Sequence, residues 1–223
     1  MSANPVLVFD MDGVLAEVSD SYLAAISATV EKMTGQKPAR QVIDRYKEAG
    51  GWNNDWALSH ELVKQAGHAD VSYEEVVAVF QELFIGHTGD GLIAREKWIP
   101  HNGLLERLAS RLRLAIFTGR PRGEIEITLR RFAPRIEWSS IVADEDVGRP
   151  KPAPDGLLAI VEAHPGIEVT YAGDNVDDAR SARGANVRFI GVAGPDQSCR
   201  ADLLKSEGAI AVIPSVNEIE GVL

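Results

Sequence analysis

Cysteine is nearly absent from this chain. Cys199 is the single one among 223 residues, so no internal disulfide can form, and the expectation is a reducing, cytoplasmic setting. Long apolar runs are missing too. No stretch approaches the roughly 18 apolar residues of a membrane span, and Asp10 and Asp12 interrupt the one apolar run near the N-terminus, so nothing there reads as a signal peptide. Positive charge is in deficit: 23 Lys and Arg face 33 Asp and Glu, a formal net charge of −10. That balance opposes broad contact with nucleic acid or an anionic membrane. Internal repeats and low-complexity segments are absent, and His60, His68, His87 and His164 show no metal-ligand spacing, reading as structural or surface residues. What remains is the composition of an ordinary globular protein, 45% hydrophobic and 25% charged. It is long enough for one good core, or for a core domain with a smaller one beside it.

The most informative segment is Val6-Leu7-Val8-Phe9-Asp10-Met11-Asp12-Gly13-Val14-Leu15. The apolar run Val6–Phe9 suits a strand covered on both faces. Asp10 closes it and Asp12 follows on a glycine turn. Two carboxylates so close repel each other and resist desolvation, which a fold tolerates where a cation or a reaction uses them. One carboxylate can attack phosphorus while the other passes a proton to the leaving oxygen and later takes one from water. A bound Mg²⁺ would offset the repulsion. The plainer reading, an acidic solvated turn, is open for D-x-D-G alone, because turns favour Asp and Gly.

Three downstream segments bear on that choice. Ile116-Phe117-Thr118-Gly119-Arg120 is an apolar strand ending in a hydroxyl that can donate to a phosphate oxygen, with Gly119 admitting backbone N–H groups. Arg149-Pro150-Lys151-Pro152-Ala153-Pro154-Asp155 sets Lys151 between stiffening prolines, where its ammonium can neutralise phosphate charge and keep Asp10 ionised. Val169-Thr170-Tyr171-Ala172-Gly173-Asp174-Asn175-Val176-Asp177-Asp178 is another strand running into an acidic loop, with Asp174 and Asp178 as hard oxygen ligands of the kind Mg²⁺ takes. Singly, each has a bland counterpart: a strand-to-helix turn, a solvated lysine, a helix N-cap with acids favoured by the dipole. The four together, each tied to an apolar strand, are hard to explain that way.

The periodicities give the frame. After Leu15 the pattern turns helical, with Ser19, Asp20 and Ser21 as N-cap candidates and Tyr22, Leu23, Ile26, Val30 and Met33 at helical spacing. Further helices are predicted over Ala39–Ala49, Asp55–Ala66 and Tyr73–Ile85, with no strong strand before about Arg111. The glycine-rich Gly86–Gly91 stretch would turn the chain back. From Gly103 strands near 114–118, 140–143, 170–172, 187–192 and 210–213 alternate with helices over 122–132, 155–163 and 178–184. Such alternation implies a parallel sheet with right-handed crossovers and a ligand crevice at the carboxyl ends of the strands. The fold class expected is therefore α/β: a Rossmann-like parallel sheet core with helices on both faces, residues 1–16 and 99–223, plus an inserted all-helical domain, 17–98, emerging beside Asp12.

With those residues in hand, the chain resembles the haloacid dehalogenase superfamily over essentially its whole length, in its phosphoglycolate-phosphatase-like branch. D-M-D-G-V-L resembles the first motif, with Asp10 as nucleophile and Asp12 as general acid/base. Thr118 falls on the second-motif hydroxyl, Lys151 on the third-motif lysine, and G-D-N-V-D-D on the fourth motif. The resemblance implies Mg²⁺ held by Asp10, the backbone carbonyl of Asp12, and Asp174, with Asp178 supporting the metal directly or through water. It implies that residues 17–98 form a cap over the site. Family members that break carbon–halogen or carbon–phosphorus bonds lack an acid at the position of Asp12, so its presence favours phosphate esters. The expectation is a Mg²⁺-dependent phosphatase of a small phosphorylated metabolite, monomeric or homodimeric. A phosphomutase resembling beta-phosphoglucomutase and a non-catalytic binding protein on the same fold are the rivals.

Substrate contacts are expected from Gly119 and Arg120, and from Trp52, Asn53 and Asn54 in the cap segment Gly50-Gly51-Trp52-Asn53-Asn54-Asp55-Trp56. There the indoles can wall a pocket and the amides can read hydroxyls or amines. The same segment also reads as a helix–helix turn, with both tryptophans packed inside and Asp55 as N-cap. Arg122, His101, Asn102 and Glu17 are weaker candidates that solvent exposure or capping would also explain.

Overall fold

A computed structural model describes residues 4–194 and 198–223. The chain divides into two compact units, Met1–Ala16 with Trp98–Leu223, and Glu17–Lys97.

The first unit is built on a six-stranded, all-parallel sheet. Its strands are β1 (Val6–Phe9), β4 (Arg113–Phe117), β5 (Trp138–Val142), β6 (Val169–Gly173), β7 (Arg188–Val192) and β8 (Ala211–Ile213), in the order β5-β4-β1-β6-β7-β8. Alternation along the strands feeds two cores. Leu7, Phe9, Leu114 and Ile116 face one side, against Leu104, Leu105 and Leu108 of α5 (Leu104–Ala109) and Ile125 and Leu129 of α6 (Arg122–Phe132). Val6, Val8, Ala115 and Phe117 face the other, against Leu157 and Ile160 of α7 (Asp155–Ala163), Ala179 and Ala182 of α8 (Val176–Gly184) and Leu204 of α9 (Ser198–Ser206). Both faces being covered explains why β1 reads as a continuous apolar run rather than an alternating one.

The chain leaves β1 toward β4 and β5 on one side and reaches β6, β7 and β8 on the other. The strand order thus reverses at β1, which pairs with β4 through Phe9 and Ile116 and with β6 through Phe9 and Ala172. In open parallel sheets the crevice at such a reversal is where ligands bind. Asp10, Thr118 and Asp174 each follow directly on one of these three strands.

The second unit is helical: α1 (Tyr22–Thr34), α2 (Arg40–Ala49), α3 (Asp55–Gln65) and α4 (Tyr73–Ile85), then a 3₁₀ turn at Leu92–Arg95. Its interior is aromatic, with Tyr22 4.0 Å from Phe84 and Phe80 5.8 Å from Phe84 between ring centroids. Ser72 and Glu75 form a capping box on α4, which fixes its start at the Tyr73 that the sequence led one to expect.

Three local expectations give way. Ser21 precedes α1, but its hydroxyl turns back to the Val18 carbonyl at 3.4 Å and caps no helical N–H. Asn54, not Asp55, is the N-cap of α3, accepting from the Ala57 N–H at 2.9 Å, while Asp55 pairs with Lys47 at 2.5 Å. Two strands also lie in the stretch expected to hold none: β2 (Ala16–Glu17) and β3 (Lys97–Trp98), which pair as a ribbon where the chain passes between the units. A two-residue strand is too short to carry a period, so its sequence gives no signal.

Candidate active site

The site grows out of β1. Phe9 is the last ladder residue, and the Asp10 N–H is taken by the Ala172 carbonyl at 2.9 Å, so the main chain fixes where the Asp10 carboxylate begins. The chain then folds tightly: the N–H groups of Leu15 and Ala16 reach the Met11 carbonyl at 2.9 and 2.8 Å, and the Gly13 N–H reaches Ala16 at 2.9 Å. This turn holds Asp12 and needs glycine at position 13. Gly13 has φ +74°, and a Cβ there would lie 2.1 Å from Oδ2 of Asp174. The first acidic turn and the acidic loop after β6 are thus in direct steric contact.

Lys151 binds these pieces together. Its Nζ donates to Oδ1 of Asp10 at 2.9 Å, Oδ1 of Asp178 at 2.7 Å and the hydroxyl of Tyr171 at 2.6 Å. An ammonium has three protons, and all three are in use. The same Nζ lies 4.7 Å from the centre of the Phe117 ring. Burial alone would lower the lysine, but Asp10 and Asp178 outweigh it and hold it above its ordinary value. Burial drives the Asp10 carboxyl well above the usual range, Lys151 pulls it back, and Asp178, Asp12 and Asp174 push it up again. Asp10 is thus a carboxylate short of positive charge, and Oδ2 of Asp10 has no hydrogen-bond partner among the described residues.

Asp178 is the most completely satisfied carboxylate. Its Oδ1 accepts from Lys151 and from the Tyr171 hydroxyl, each at 2.7 Å; its Oδ2 accepts from the N–H groups of Asp174 and Asn175 at 3.0 and 3.2 Å. A carboxylate offers about four lone-pair sites, and here all are occupied. Oxygen atoms of Asp10, Asp174 and Asp178 lie within 4.8 Å of one another, but the donors already on Asp178 leave Asp10 and Asp174 as the pair with capacity for a cation. Burial and the neighbouring Asp178 push Asp174 up to about 7, against the pull of Arg200, whose Nη1 is 3.6 Å away. Hard, crowded carboxylates short of positive charge fit a divalent cation of the Mg²⁺ type.

Thr118 is 1% exposed, and its hydroxyl oxygen accepts from the Arg120 N–H at 3.3 Å. Gly119 separates them. Arg120 lies inside the protein, with Nε 2.8 Å and Nη2 2.5 Å from Oδ1 of Asp12 and Nη1 3.0 Å from the Thr128 hydroxyl. The residue expected to offer its charge to substrate has committed it to the second aspartate. Arg122 is spent on Asp146 and the Ile141 carbonyl. Asn102 and His101 begin the turn into α5, with the His101 N–H on Asn217 at 2.7 Å, and the Glu17 carboxylate accepts from the Ser19 N–H at 2.9 Å. In the helical unit Trp52 sets its ring edge-on to Tyr46 at 5.0 Å, Asn54 caps α3, and the Asn53 carbonyl accepts from Lys47 at 3.5 Å. The sequence reading missed Tyr171. An aromatic in a buried strand reads as core, and only its hydroxyl, three residues before Asp174, hinted at more.

The family described as haloacid dehalogenase-like hydrolase matches residues 7–192, which takes in every group just placed at the strand ends. A protein of Phytophthora nicotianae named imidazoleglycerol-phosphate dehydratase is 35% identical, over 95% of this chain and 48% of its own length. The chain spans about half of that relative. Among solved structures, a "predicted phosphoglycolate phosphatase" from Haemophilus somnus has a TM-score of 0.76 at 15% identity, covering 100% of this chain and 99% of its own. A phosphonoacetaldehyde hydrolase-like protein from Oleispira antarctica has the same TM-score at 18% identity, covering 98% and 91%. At such identities the likeness is one of fold, and two differently named proteins share it equally.

Proposed function

The chain belongs to the haloacid dehalogenase-like hydrolase family, and from that premise we propose that it is a Mg²⁺-dependent phosphatase of a small phosphorylated metabolite, working through an aspartyl phosphate. One observation carries the reading: Asp10, at the end of the central strand, is tied through one oxygen to Lys151 and keeps the other without a hydrogen-bond partner among the described residues, with a second carboxylate two residues on.

In this reading Asp10 attacks phosphorus with its uncommitted oxygen. Lys151 holds the carboxylate in line and offsets charge on the phosphoryl oxygens through the field it sets up in a buried site. Thr118 and the N–H of Gly119 bind phosphoryl oxygens. Asp12 protonates the leaving oxygen and then takes a proton from the water that hydrolyses the aspartyl phosphate. Asp10, Asp174 and the Asp12 carbonyl would hold the Mg²⁺, which supplies further positive charge at the phosphoryl group. Asp178, with its acceptors filled, orients Lys151 and the Asp174 loop. The helical unit is the place to look for substrate choice, with Trp52 and Asn53 the residues to vary.

Dehydratase chemistry is not carried over from the half-matched relative, because the groups assembled here are those of phosphoryl transfer. Its name does denote a phosphate monoester of an imidazole-bearing alcohol, and that compound belongs in the substrate panel beside phosphoglycolate, sugar phosphates, phosphorylated amino alcohols and nucleotides. The test is phosphate release from this panel, with Mg²⁺ and with excess chelator, for wild type and Asp10→Asn. Turnover of at least one compound that needs Mg²⁺ and vanishes in the variant is the expected result. Equal turnover by Asp10→Asn would overturn the nucleophile assignment, and silence across the panel would overturn hydrolysis, with a primed mutase assay to follow.

A further inference from the structure

Arg120 is among the largest fully buried side chains of the protein, and burying a guanidinium is costly unless its charge is met with good geometry. Asp12, with which it forms an ion pair, has a side chain that is 34% exposed. An ion pair to a carboxylate that water already reaches adds little stability of its own. The turn around Asp12 does not need it either, since Leu15, Ala16 and Gly13 close that turn with backbone hydrogen bonds. The arrangement acts on the direction of one side chain. Nε and Nη2 both converge on Oδ1 of Asp12, Nη1 is anchored to Thr128 on α6, and Oδ2 of Asp12 has no hydrogen-bond partner among the described residues.

We propose that Arg120 is a positioning residue for proton transfer: it clamps Oδ1 of Asp12, with Thr128 as its anchor, so that Oδ2 is the oxygen presented to the leaving group. The inference rests on the phosphatase reading and deepens it. In the first half-reaction a bond forms between an Asp10 oxygen and phosphorus. The ester P–O bond breaks with its electron pair going to the leaving oxygen, and that oxygen takes the proton carried by Asp12. An alkoxide leaving group needs that proton; p-nitrophenolate departs without it. The clamp should therefore matter in proportion to the basicity of the leaving group.

The experiment measures leaving-group release in the first turnover, where water activation plays no part, for glycerol 1-phosphate and p-nitrophenyl phosphate. Wild type is compared with Arg120→Met, Arg120→Lys and Thr128→Val, all with Mg²⁺. Arg120→Met is expected to lose on the order of 100-fold with glycerol 1-phosphate, the lower end of what general acid catalysis contributes, and less than about 3-fold with p-nitrophenyl phosphate. Arg120→Lys should recover part of the loss, and Thr128→Val should show a smaller loss of the same selectivity while keeping the guanidinium and the fold. Equal losses on both esters, in Arg120→Met or in Thr128→Val, would reduce Arg120 to a structural ion pair and overturn the proposal. Unchanged rates on both would overturn it as well. Wild type silent on both esters and on every compound of the panel sinks the phosphatase reading itself, and the inference with it, a result distinct from wild-type activity with an unselective variant.

Discussion

Oδ1 of Asp178 accepts a hydrogen bond from Nζ of Lys151 at 2.7 Å, and neither side chain is more than 1% exposed. With the Tyr171 hydroxyl on the same oxygen and two backbone N–H groups on the other, Asp178 is the most heavily hydrogen-bonded carboxylate of the site, and the expectation is that it orients its neighbours more than it ligates a metal. Asp178→Asn tests this. The amide would turn an N–H₂ toward groups that are themselves donors, leaving at least two buried protons unmet. Breaking one side of a buried pair costs about 3–5 kcal/mol, so a large drop in melting temperature is expected. Mg²⁺ affinity, read by calorimetric titration on the folded variant, should fall far less than in Asp174→Asn. A loss equal to that of Asp174→Asn would make Asp178 a ligand after all.

Tyr171→Phe isolates the next link. The ring stays, with its contacts to Phe117 and Phe189; only the hydroxyl between Lys151 and Asp178 goes. A buried proton of Lys151 is then unmatched, a cost of about 1–3 kcal/mol. Burial, with Asp178 and Asp10 nearby, raises the phenol well above its ordinary value, so it stays protonated and is no base. The pH profile of turnover should accordingly keep its shape in Tyr171→Phe while stability declines. A displaced profile would point to a titrating role for Tyr171.

Why some of this was legible and some was not follows from the length scale of each signal. β1 announces itself because both its faces are covered, and α4 runs over Tyr73–Ile85, the range expected of it. Asp10, Lys151 and Asp174 were visible as charges at the ends of apolar runs, where a sheet rule says that ends converge. The pairing of Arg120 with Asp12 was not visible. It joins residues 108 apart in sequence, and an arginine after T-G looks the same whether it faces water or the interior. Tyr171 was hidden by the rule that aromatics fill strands. Asn54 was expected as a ligand-reading amide and Asp55 as the cap, and only the Ala57 N–H in front of the Asn54 oxygen shows which residue caps the helix.

The protonation of Asp174 gives a signed pH prediction. Its carboxyl stands at about 7 in the folded chain against an ordinary value of 3.8. A carboxyl raised on folding contributes stability that is complete below its unfolded value and is lost as pH rises through the folded one. Without metal, melting temperature should therefore decline, on this group's account, between roughly pH 4 and pH 7, and Asp10, also raised, acts in the same direction. Mg²⁺ must displace that proton, so its affinity should rise with pH by up to about tenfold per unit and level off above about pH 7. Melting curves in chelator and in Mg²⁺ across this range test both halves. A metal-free protein that gains stability over the same interval, with the gain abolished by Asp174→Asn, would contradict the assignment.

The contact between Gly13 and Asp174 can be separated from backbone strain by pairing two substitutions. Gly13 has φ +74° and Gly166 has φ +73°, so alanine pays a similar left-handed penalty at each, about 1–2 kcal/mol. Around Gly166 a new Cβ meets nothing within 4 Å, whereas at Gly13 it falls 2.1 Å from Oδ2 and 2.6 Å from Cγ of Asp174. Real Cβ atoms do not sit that close, so Asp174 or the turn must move. Gly166→Ala should lower the melting temperature modestly and leave Mg²⁺ affinity and turnover alone. Gly13→Ala should lower it further, weaken Mg²⁺ binding by an order of magnitude or more and cut turnover, because the displaced side chain is one of the two carboxylates with capacity for a cation. If the two variants lost the same stability and both bound Mg²⁺ as wild type does, the closeness of the first turn to Asp174 would have no bearing on metal binding, and the glycine would be there for its φ alone.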